Sequence, residues 1–388
     1  MTTRRIGRLV LVRHGESMWN ITDRAKKRET RFTGWADVPI SQLGREQARA
    51  SGRCMESLKL SFDSVFTSLL HRSRVTYELI LQEMPSQIRK AVPVVHSWRL
   101  NERHYGALVG LSKSEAEEKM GREKVLGWRR SWNLRPPPMT MHPFYHSISS
   151  DPLDKAPLFD WQSEIWTKAL TIRSIQMSSG KLVEEEKKHD HNAVIPKTES
   201  LEDTSNRVYT LWVEDILPRL VKGSTVLVVG HSNTIRSMVK QLDNLDEHHI
   251  MEVVIPSAIP LVYTFAQEPG GVVRPLGKPG TSGMRGRFVV TKELLELNLA
   301  ASQNLEMSEF LDEGTDFKNM ISDTLNRVRG SGAGGVRSSF MDADINAAVG
   351  KHSSVMEAGW MTFDNSQENQ RKLQRIEKED EQGVSGRG

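Results

Sequence analysis

The chain has 388 residues, of which 37% are hydrophobic and 26% are charged, and its formal net charge is +4. This length suits one large α/β domain with additions, or two domains. Because the positive charge is small and forms no long basic block, we expect neither nucleic-acid nor membrane binding. Cys54 is the only cysteine in the sequence, which excludes an internal disulfide and cysteine-based zinc sites.

The N-terminal apolar run is too short for a signal peptide or a membrane span, so we expect a soluble cytoplasmic protein. Short β-branched runs then alternate with long helical stretches, a pattern typical of a mainly parallel sheet covered by helices on both faces. The sequence therefore predicts a three-layer α/β fold, with strands at residues 8–12, 64–68, 92–95, 225–229 and 260–265.

The first predicted strand ends on Arg13, His14 and Gly15. In folds of this class, ligands gather at the carboxyl ends of the strands. A neutral imidazole is a good nucleophile toward phosphorus, and a neighbouring guanidinium both disfavours its protonation and binds phosphate oxygens. The motif is thus typical of phosphoryl transfer, although a histidine that is simply hydrogen-bonded at a strand end remains an alternative.

The strand at residues 225–229 ends in the same way, on Gly230 and His231. Two histidines at one edge of a sheet are expected to face each other. One would be the nucleophile, and the other a hydrogen-bond donor to the transferring phosphoryl group.

Two predicted helices and a change of composition indicate how the chain is divided into domains. One helix is predicted after Ser41, and another after Ser200, which forms a capping box with Asp203. We divide the chain into a catalytic domain at residues 1–266, with an enlarged insertion at about 150–195, and a C-terminal extension at 267–388. The extension begins as a Gly/Pro-rich linker and is expected to be partly helical and partly flexible.

Several motifs occur in order over roughly residues 7–266 and together resemble one family. The chain is similar to the cofactor-dependent phosphoglycerate mutases of the histidine phosphatase superfamily, and the resemblance implies a phosphoglycerate mutase-like fold. The motifs that carry it are LVRHGESMWN, RFTGWADVPIS, TSLLHRS, RLNERHYGALVGLSKSE, WRRSWNLRPPPM, TESLEDT, GHSNTIRSMVKQL and IPSAIPLVYTF.

The resemblance implies roles for individual residues. His14 would form a phosphohistidine, with Arg13 and Arg72 clamping the phosphoryl group. His231 would stabilise the transition state, and Glu102 would be the general acid and base. Residues expected to bind the substrate carboxylate, its second phosphate and its hydroxyls are Ser17, Asn20, Thr33, Gly34, Tyr105, Lys113, Arg129, Arg130 and Asn233.

The reaction implied by the resemblance interconverts 3-phosphoglycerate and 2-phosphoglycerate in glycolysis and gluconeogenesis. In that reaction 2,3-bisphosphoglycerate is both primer and intermediate, and no metal is expected. The partners implied are small-molecule phosphoglycerates and further copies of the chain, since the family is usually dimeric or tetrameric.

The sequence departs from the family at three places. Ser232 stands where the family commonly has glycine, which would crowd the phosphate or add a hydroxyl donor. Ser257 and Ala258 replace a commoner Thr-Gly pair and are expected to alter that turn. The insertion and the extension are the third departure, and the lengthened tail would gate the site, anchor a partner or have no effect.

Three alternative functions remain at this point. A bisphosphoglycerate mutase/phosphatase shares all the catalytic groups, but Ser17 and Thr33 are both mutase-like. A broad-specificity phosphatase would need water to reach a shielded phosphohistidine. A catalytically silent scaffold acting through the tail is opposed by the complete set of catalytic residues.

Overall fold

A computed structural model of the chain describes residues 4–21, 29–139, 172–176, 182–186, 196–269, 271–280 and 283–303. Most of the predicted insertion, and the extension from residue 304 onward, therefore lie outside the described residues. Within the described residues, no helix is long and apolar enough to cross a membrane.

The centre of the molecule is a nine-stranded sheet with the order β5-β4-β3-β2-β6-β1-β7-β8, and β9 also pairs with β7. Parallel pairing is confined to the four central strands, β3, β2, β6 and β1, while both edges are antiparallel. The strands are β1 (Arg4–Arg13), β2 (Ser64–Thr67), β3 (Val94–His96), β4 (Ile172–Gln176), β5 (Leu182–Glu186), β6 (Thr225–Gly230), β7 (Leu261–Gln267), β8 (Val273–Pro275) and β9 (Arg287–Phe288).

Ten α-helices are described around this sheet. They are α1 (Gln42–Ser57), α2 (His71–Gln82), α3 (Ser86–Ala91), α4 (Lys113–Met120), α5 (Arg122–Arg130), α6 (Leu201–Leu211), α7 (Leu217–Val221), α8 (Ser232–Asp243), α9 (Glu247–Glu252) and α10 (Lys292–Gln303). The predicted helix after Ser41 is confirmed, and so is the capping box in which Ser200 and Asp203 begin α6.

Helices cover both faces of the sheet because successive side chains of a strand point to opposite faces. On β1, Leu9 and Leu11 pack into one hydrophobic cluster with residues of α6 and α8. Val10 and Val12 pack into a second cluster, with Met55 of α1 and residues of α2. The central strands are thus apolar on both faces, and the predicted three-layer α/β fold is confirmed.

The described residues between 267 and 303 pack onto this domain. The predicted Gly/Pro-rich linker contributes β8 and β9, which both pair with β7. The predicted helix of the extension is α10, whose buried Leu294 packs with Ala50 and Cys54 of α1. As a result α10 lies against the N-terminal part of the domain.

Candidate active site

The two histidines singled out by the sequence lie side by side at the carboxyl edge of the sheet. Strands β1 and β6 are adjacent and parallel with Arg13 opposite Gly230, so each strand places its next residue at the same level. The backbone N–H of His14 donates to Gly230 O at 2.9 Å. The ring centroids of His14 and His231 are 5.1 Å apart.

Gly15 allows the chain to turn tightly after the strand. A Cβ atom at this position would lie 2.2 Å from Gly44 O of α1, which no side chain tolerates. The N-terminal turn of α1 therefore packs directly against the loop that carries His14. Ser41, the N-cap of that helix, also donates its hydroxyl to Glu16 Oε1 at 2.6 Å.

The protonation state of His14 follows from its two ring contacts. Nδ1 lies 2.7 Å from Gly15 O, and because a carbonyl only accepts, Nδ1 carries the hydrogen. Nε2 is then the lone-pair nitrogen, and it accepts from Arg72 Nε at 3.3 Å. Burial and the charges of Arg72 and Arg13 hold the pKa of His14 well below its ordinary value. His14 is thus a neutral nucleophile whose reactive nitrogen faces a cation.

Arg72 lies on the first turn of α2 and is fully buried. Its Nη1 donates to Ala36 O at 2.9 Å and its Nη2 to Gly34 O at 2.8 Å. Gly34 has a φ of 51°, in the region that favours glycine. The turn that needs this conformation presents the Gly34 carbonyl to Arg72. Burial lowers the pKa of Arg72 to about 10, so the guanidinium stays charged at neutral pH.

His231 is the N-cap residue of α8 and has no exposed surface. Its Nε2 lies 2.8 Å from Ser68 Oγ, while its buried Nδ1 has no hydrogen-bond partner among the described residues. Burial, followed by the charge of Arg72, holds the pKa of His231 well below its ordinary value. Nδ1 is therefore a buried polar atom without a partner among the described residues, on a ring whose centroid lies 5.1 Å from that of His14.

Glu102 lies on the irregular segment between two 3-10 turns, Trp98–Leu100 and Gly106–Leu108. Its Oε1 accepts from the backbone N–H of Arg103 at 2.7 Å. Its backbone carbonyl accepts from Trp35 Nε1 at 2.5 Å and from Arg207 Nη2 at 3.0 Å. The side chain is mostly buried and lines the same pocket as His14.

One pocket unites most of the predicted site residues. Seven cationic side chains and two carboxylates line it within the described part of the chain, so it is strongly basic. Two predicted residues do not line it. One is His231, which is fully buried, and the other is Ser17, which is also fully buried and donates its hydroxyl to Asn20 Oδ1 at 2.7 Å. The predicted residues that line it are Arg13, His14, Asn20, Thr33, Gly34, Arg72, Glu102, Tyr105, Lys113, Arg129, Arg130 and Asn233.

Sequence comparison decides the family. The family model of the histidine phosphatase superfamily (branch 1) matches residues 9–147 and 154–273. The chain belongs to this superfamily.

The chain is 41% identical over 260 residues to a 2,3-bisphosphoglycerate-dependent phosphoglycerate mutase of Hamiltonella defensa subsp. Acyrthosiphon pisum (strain 5AT), a match that covers 67% of this chain and 87% of that protein. It is 38% identical over 271 residues to a protein of the same name from Corynebacterium kroppenstedtii, covering 70% and 90% of the two chains. Among solved structures it is similar to "Mycobacterial hydrolase 2", with 18% identity and a TM-score of 0.44 over 78% of this chain and 99% of that one.

The departures from the superfamily pattern lie at the pocket wall. Ser232 and Ser257 both line the pocket. Ala258 adopts a φ of 56°, a left-handed conformation that costs a non-glycine residue roughly 1 kcal/mol. Its N–H nevertheless donates to Arg13 O at 2.8 Å, so this turn extends the edge of β1 next to His14.

The sequence motifs missed six polar residues of the pocket, which are Glu16, Thr30, Arg31, Gln47, Arg236 and Asn298. Arg31 lines it and pairs with Glu115 at 3.0 Å. Arg236 lines it from α8, four residues after Ser232 and thus on the same helix face, a signal that was present in the sequence. Asn298 reaches the pocket from α10, and no local pattern in the sequence indicates that this helix returns to the site.

Proposed function

We propose that this member of the histidine phosphatase superfamily is a phosphoglycerate mutase, which interconverts 3-phosphoglycerate and 2-phosphoglycerate through a phosphohistidine at His14. Relatives at 38–41% identity carry the name of that enzyme. The structural observation that carries the proposal is a single pocket with two groups of cations. One group surrounds His14, and the other is formed by Lys113, Arg129 and Arg130 of α4 and α5. Such a pocket suits a small molecule that is anionic at both ends.

The buried group performs the transfer. The Nε2 lone pair of His14 attacks phosphorus, and the guanidinium of Arg72 that faces Nε2 neutralises charge on the phosphoryl oxygens. Nη1 of Arg13 donates to Ile255 O at 2.9 Å, and Arg13 lines the same pocket. The unpartnered Nδ1 of His231 provides a further polar contact to the phosphoryl group.

Glu102 moves the proton. When the bond between phosphorus and the substrate oxygen breaks, protonated Glu102 gives that oxygen a proton; in the return step its carboxylate removes the proton from the attacking hydroxyl. Tyr105, whose hydroxyl accepts from Asn233 Nδ2 at 2.8 Å, lines the wall beside it. Asn20, Thr33 and Gly34 offer neutral hydrogen bonds.

The site fits 2,3-bisphosphoglycerate as the priming molecule. The pocket has an excess of five positive charges among the described residues, which suits a small polyanion. Arg13 and Arg72 would hold one phosphate, and Lys113, Arg129 and Arg130 the other end. When bound, this molecule supplies the phosphoryl group that first charges His14. The proposed reaction takes no step through a metal.

The remaining assignments belong to the same proposal. The partners are phosphoglycerates, the reaction belongs to glycolysis and gluconeogenesis in the cytoplasm, and the chain forms a dimer or tetramer. Residues 1–266 form the catalytic domain, and residues 267–388 are the extension, whose α10 completes one wall of the pocket.

The test is conversion of 3-phosphoglycerate by the full chain, followed by 31P NMR, with and without catalytic amounts of 2,3-bisphosphoglycerate. We expect 2-phosphoglycerate to form and its rate to depend on the bisphosphate. Release of inorganic phosphate from the bisphosphate without isomerisation would instead indicate the bisphosphoglycerate mutase/phosphatase. Absence of both reactions would favour the scaffold.

A further inference from the structure

A buried ion pair lies directly behind the segment that carries Glu102. Arg207 of α6 donates from Nε to Glu199 Oε1 at 2.7 Å and from Nη2 to Glu199 Oε2 at 3.0 Å. The two side chains are only 6% and 5% exposed. Neither residue lines the pocket, so neither touches a ligand there.

The remaining hydrogen bonds of this pair go to the backbone around Glu102. Arg207 Nη1 donates to Arg99 O at 2.7 Å, and Nη2 donates also to Glu102 O at 3.0 Å. Glu199 Oε2 accepts from the N–H of His104 at 2.8 Å. The backbone of Glu199 bonds to the same segment twice, through His104 O and through the side chain of Arg103, each at 2.8 Å.

This arrangement does more for position than for stability. Burying an ion pair costs desolvation that largely offsets its attraction, so it contributes little to net stability. Residues 101–105 belong to no helix or strand. The buried backbone N–H and C=O groups of such a segment need hydrogen-bond partners from other parts of the chain. The ion pair supplies them at residues 99, 102 and 104, on both sides of the carboxyl group.

We propose that Glu199 and Arg207 are positioning residues, whose buried ion pair holds the backbone of Glu102 so that its carboxyl group stays at the substrate hydroxyl. The inference rests on the proposed function, in which Glu102 transfers the proton. It has a specific chemical consequence. As Nε2 of His14 bonds to phosphorus and the phosphorus–oxygen bond breaks, an aliphatic oxygen needs the proton of Glu102 in order to leave. An aryl oxide leaves without that proton, so its departure does not depend on where Glu102 lies.

The experiment compares Arg207→Gln, Arg207→Lys and the double variant Glu199→Gln/Arg207→Gln, which leaves no isolated buried charge. Arg135→Gln is the matched control, because Arg135 also makes a two-bond ion pair with α6, at Asp203, but on the surface. Two reactions are followed on full-length protein: mutase turnover of 3-phosphoglycerate, and the first-turnover release of p-nitrophenol from p-nitrophenyl phosphate, after which the phosphoryl group remains on His14. Circular dichroism and thermal unfolding verify that each variant is folded.

We expect Arg207→Gln to lower mutase kcat by about 100-fold with KM changed less than about threefold, while p-nitrophenol release stays within about threefold of wild type. Arg207→Lys should recover part of kcat, and Arg135→Gln should resemble wild type. Equal losses on both substrates, or unchanged kcat in a folded Arg207→Gln variant, would overturn the inference. If the aryl ester does not react, a rise in KM without a fall in kcat would overturn it equally.

The outcome also separates this inference from the proposed function. Wild-type protein that hydrolyses phosphate esters but does not isomerise phosphoglycerate would remove the mutase assignment only. The positioning role would then be measured on alkyl against aryl phosphate hydrolysis, since an alkyl leaving group still needs the proton.

Discussion

The polar and charged side chains at the two ends of the pocket differ in how deeply they are buried and in how they are held. At the reacting end, His14, Arg72 and His231 are 4%, 1% and 0% exposed. The polar atoms of His14 and Arg72 bond to backbone carbonyls and to each other, and His231 Nε2 lies 2.8 Å from Ser68 Oγ. At the recognition end, Lys113 and Arg129 are half-buried and Arg130 is exposed, on the short helices α4 and α5.

This difference in burial distinguishes side chains suited to the chemical step from side chains suited to attracting an anion. Buried charges act strongly because little water screens them, but each has to be held by fixed partners. Exposed charges are screened by salt and act chiefly by attracting and orienting an anion. In the proposed reaction we therefore expect the buried end to control the chemical step and the exposed end to control affinity.

Removing the nucleophile tests the reacting end. We expect His14→Ala to lower kcat by roughly 10⁴-fold or more, because no other group in the pocket can accept the phosphoryl group in its place. The matched control is His248→Ala, at an exposed histidine of α9. Activity is measured as 2-phosphoglycerate formation, and folding by circular dichroism. Near-normal turnover in a folded His14→Ala variant would contradict the phosphohistidine.

Acid should weaken the protein through the same buried end. In the folded protein, the pKa values of His14 and His231 are well below the ordinary value for histidine. Below about pH 6.5, these two histidines are therefore protonated in the unfolded chain but remain neutral in the folded protein. The free energy of unfolding should therefore fall as the pH falls from 7 to 5, with a slope that approaches about 1.4 kcal/mol per pH unit for each histidine well below pH 6.5.

Urea unfolding at a series of pH values measures this slope. His14→Gln should remove about 1.4 kcal/mol per pH unit from it, whereas His248→Gln, at the exposed position, should leave it unchanged. A slope that is the same in all three proteins would show that folding does not change the pKa of His14.

The recognition end should respond more weakly. We expect Arg130→Gln to raise KM for 3-phosphoglycerate about fivefold to tenfold with kcat nearly unchanged, since an exposed cation aids binding and not the transfer. Added salt should shrink the difference from wild type. Arg122→Gln is the control, at an exposed arginine on the first turn of the same helix that does not line the pocket. A fall in kcat with unchanged KM would place Arg130 in the chemical step.

Much of this arrangement could be predicted from local patterns. The strand runs and the turn residues after them were enough to place His14 and His231 together, because neighbouring parallel strands end at one edge. Side-chain partners could not be predicted in this way. The burial of Ser17 against Asn20, and the ion pair between Glu199 and Arg207, depend on packing between segments that lie apart in sequence or on how a loop closes. The return of α10 to the pocket depends on its apolar face matching α1, which no motif indicates.

The position of β1 in the sheet bears on how the protein is made. This strand is synthesised well before its two neighbours, β6 and β7, which begin at residues 225 and 261. Asn298 of the pocket wall follows later still. At about 5–20 residues per second, roughly 15–60 s separate the synthesis of His14 from that of the last wall of its pocket. For most of that interval β1, whose residues 9–12 are all apolar, lacks both neighbouring strands. Nascent chains should therefore engage chaperones early and become active only after α10 has been made.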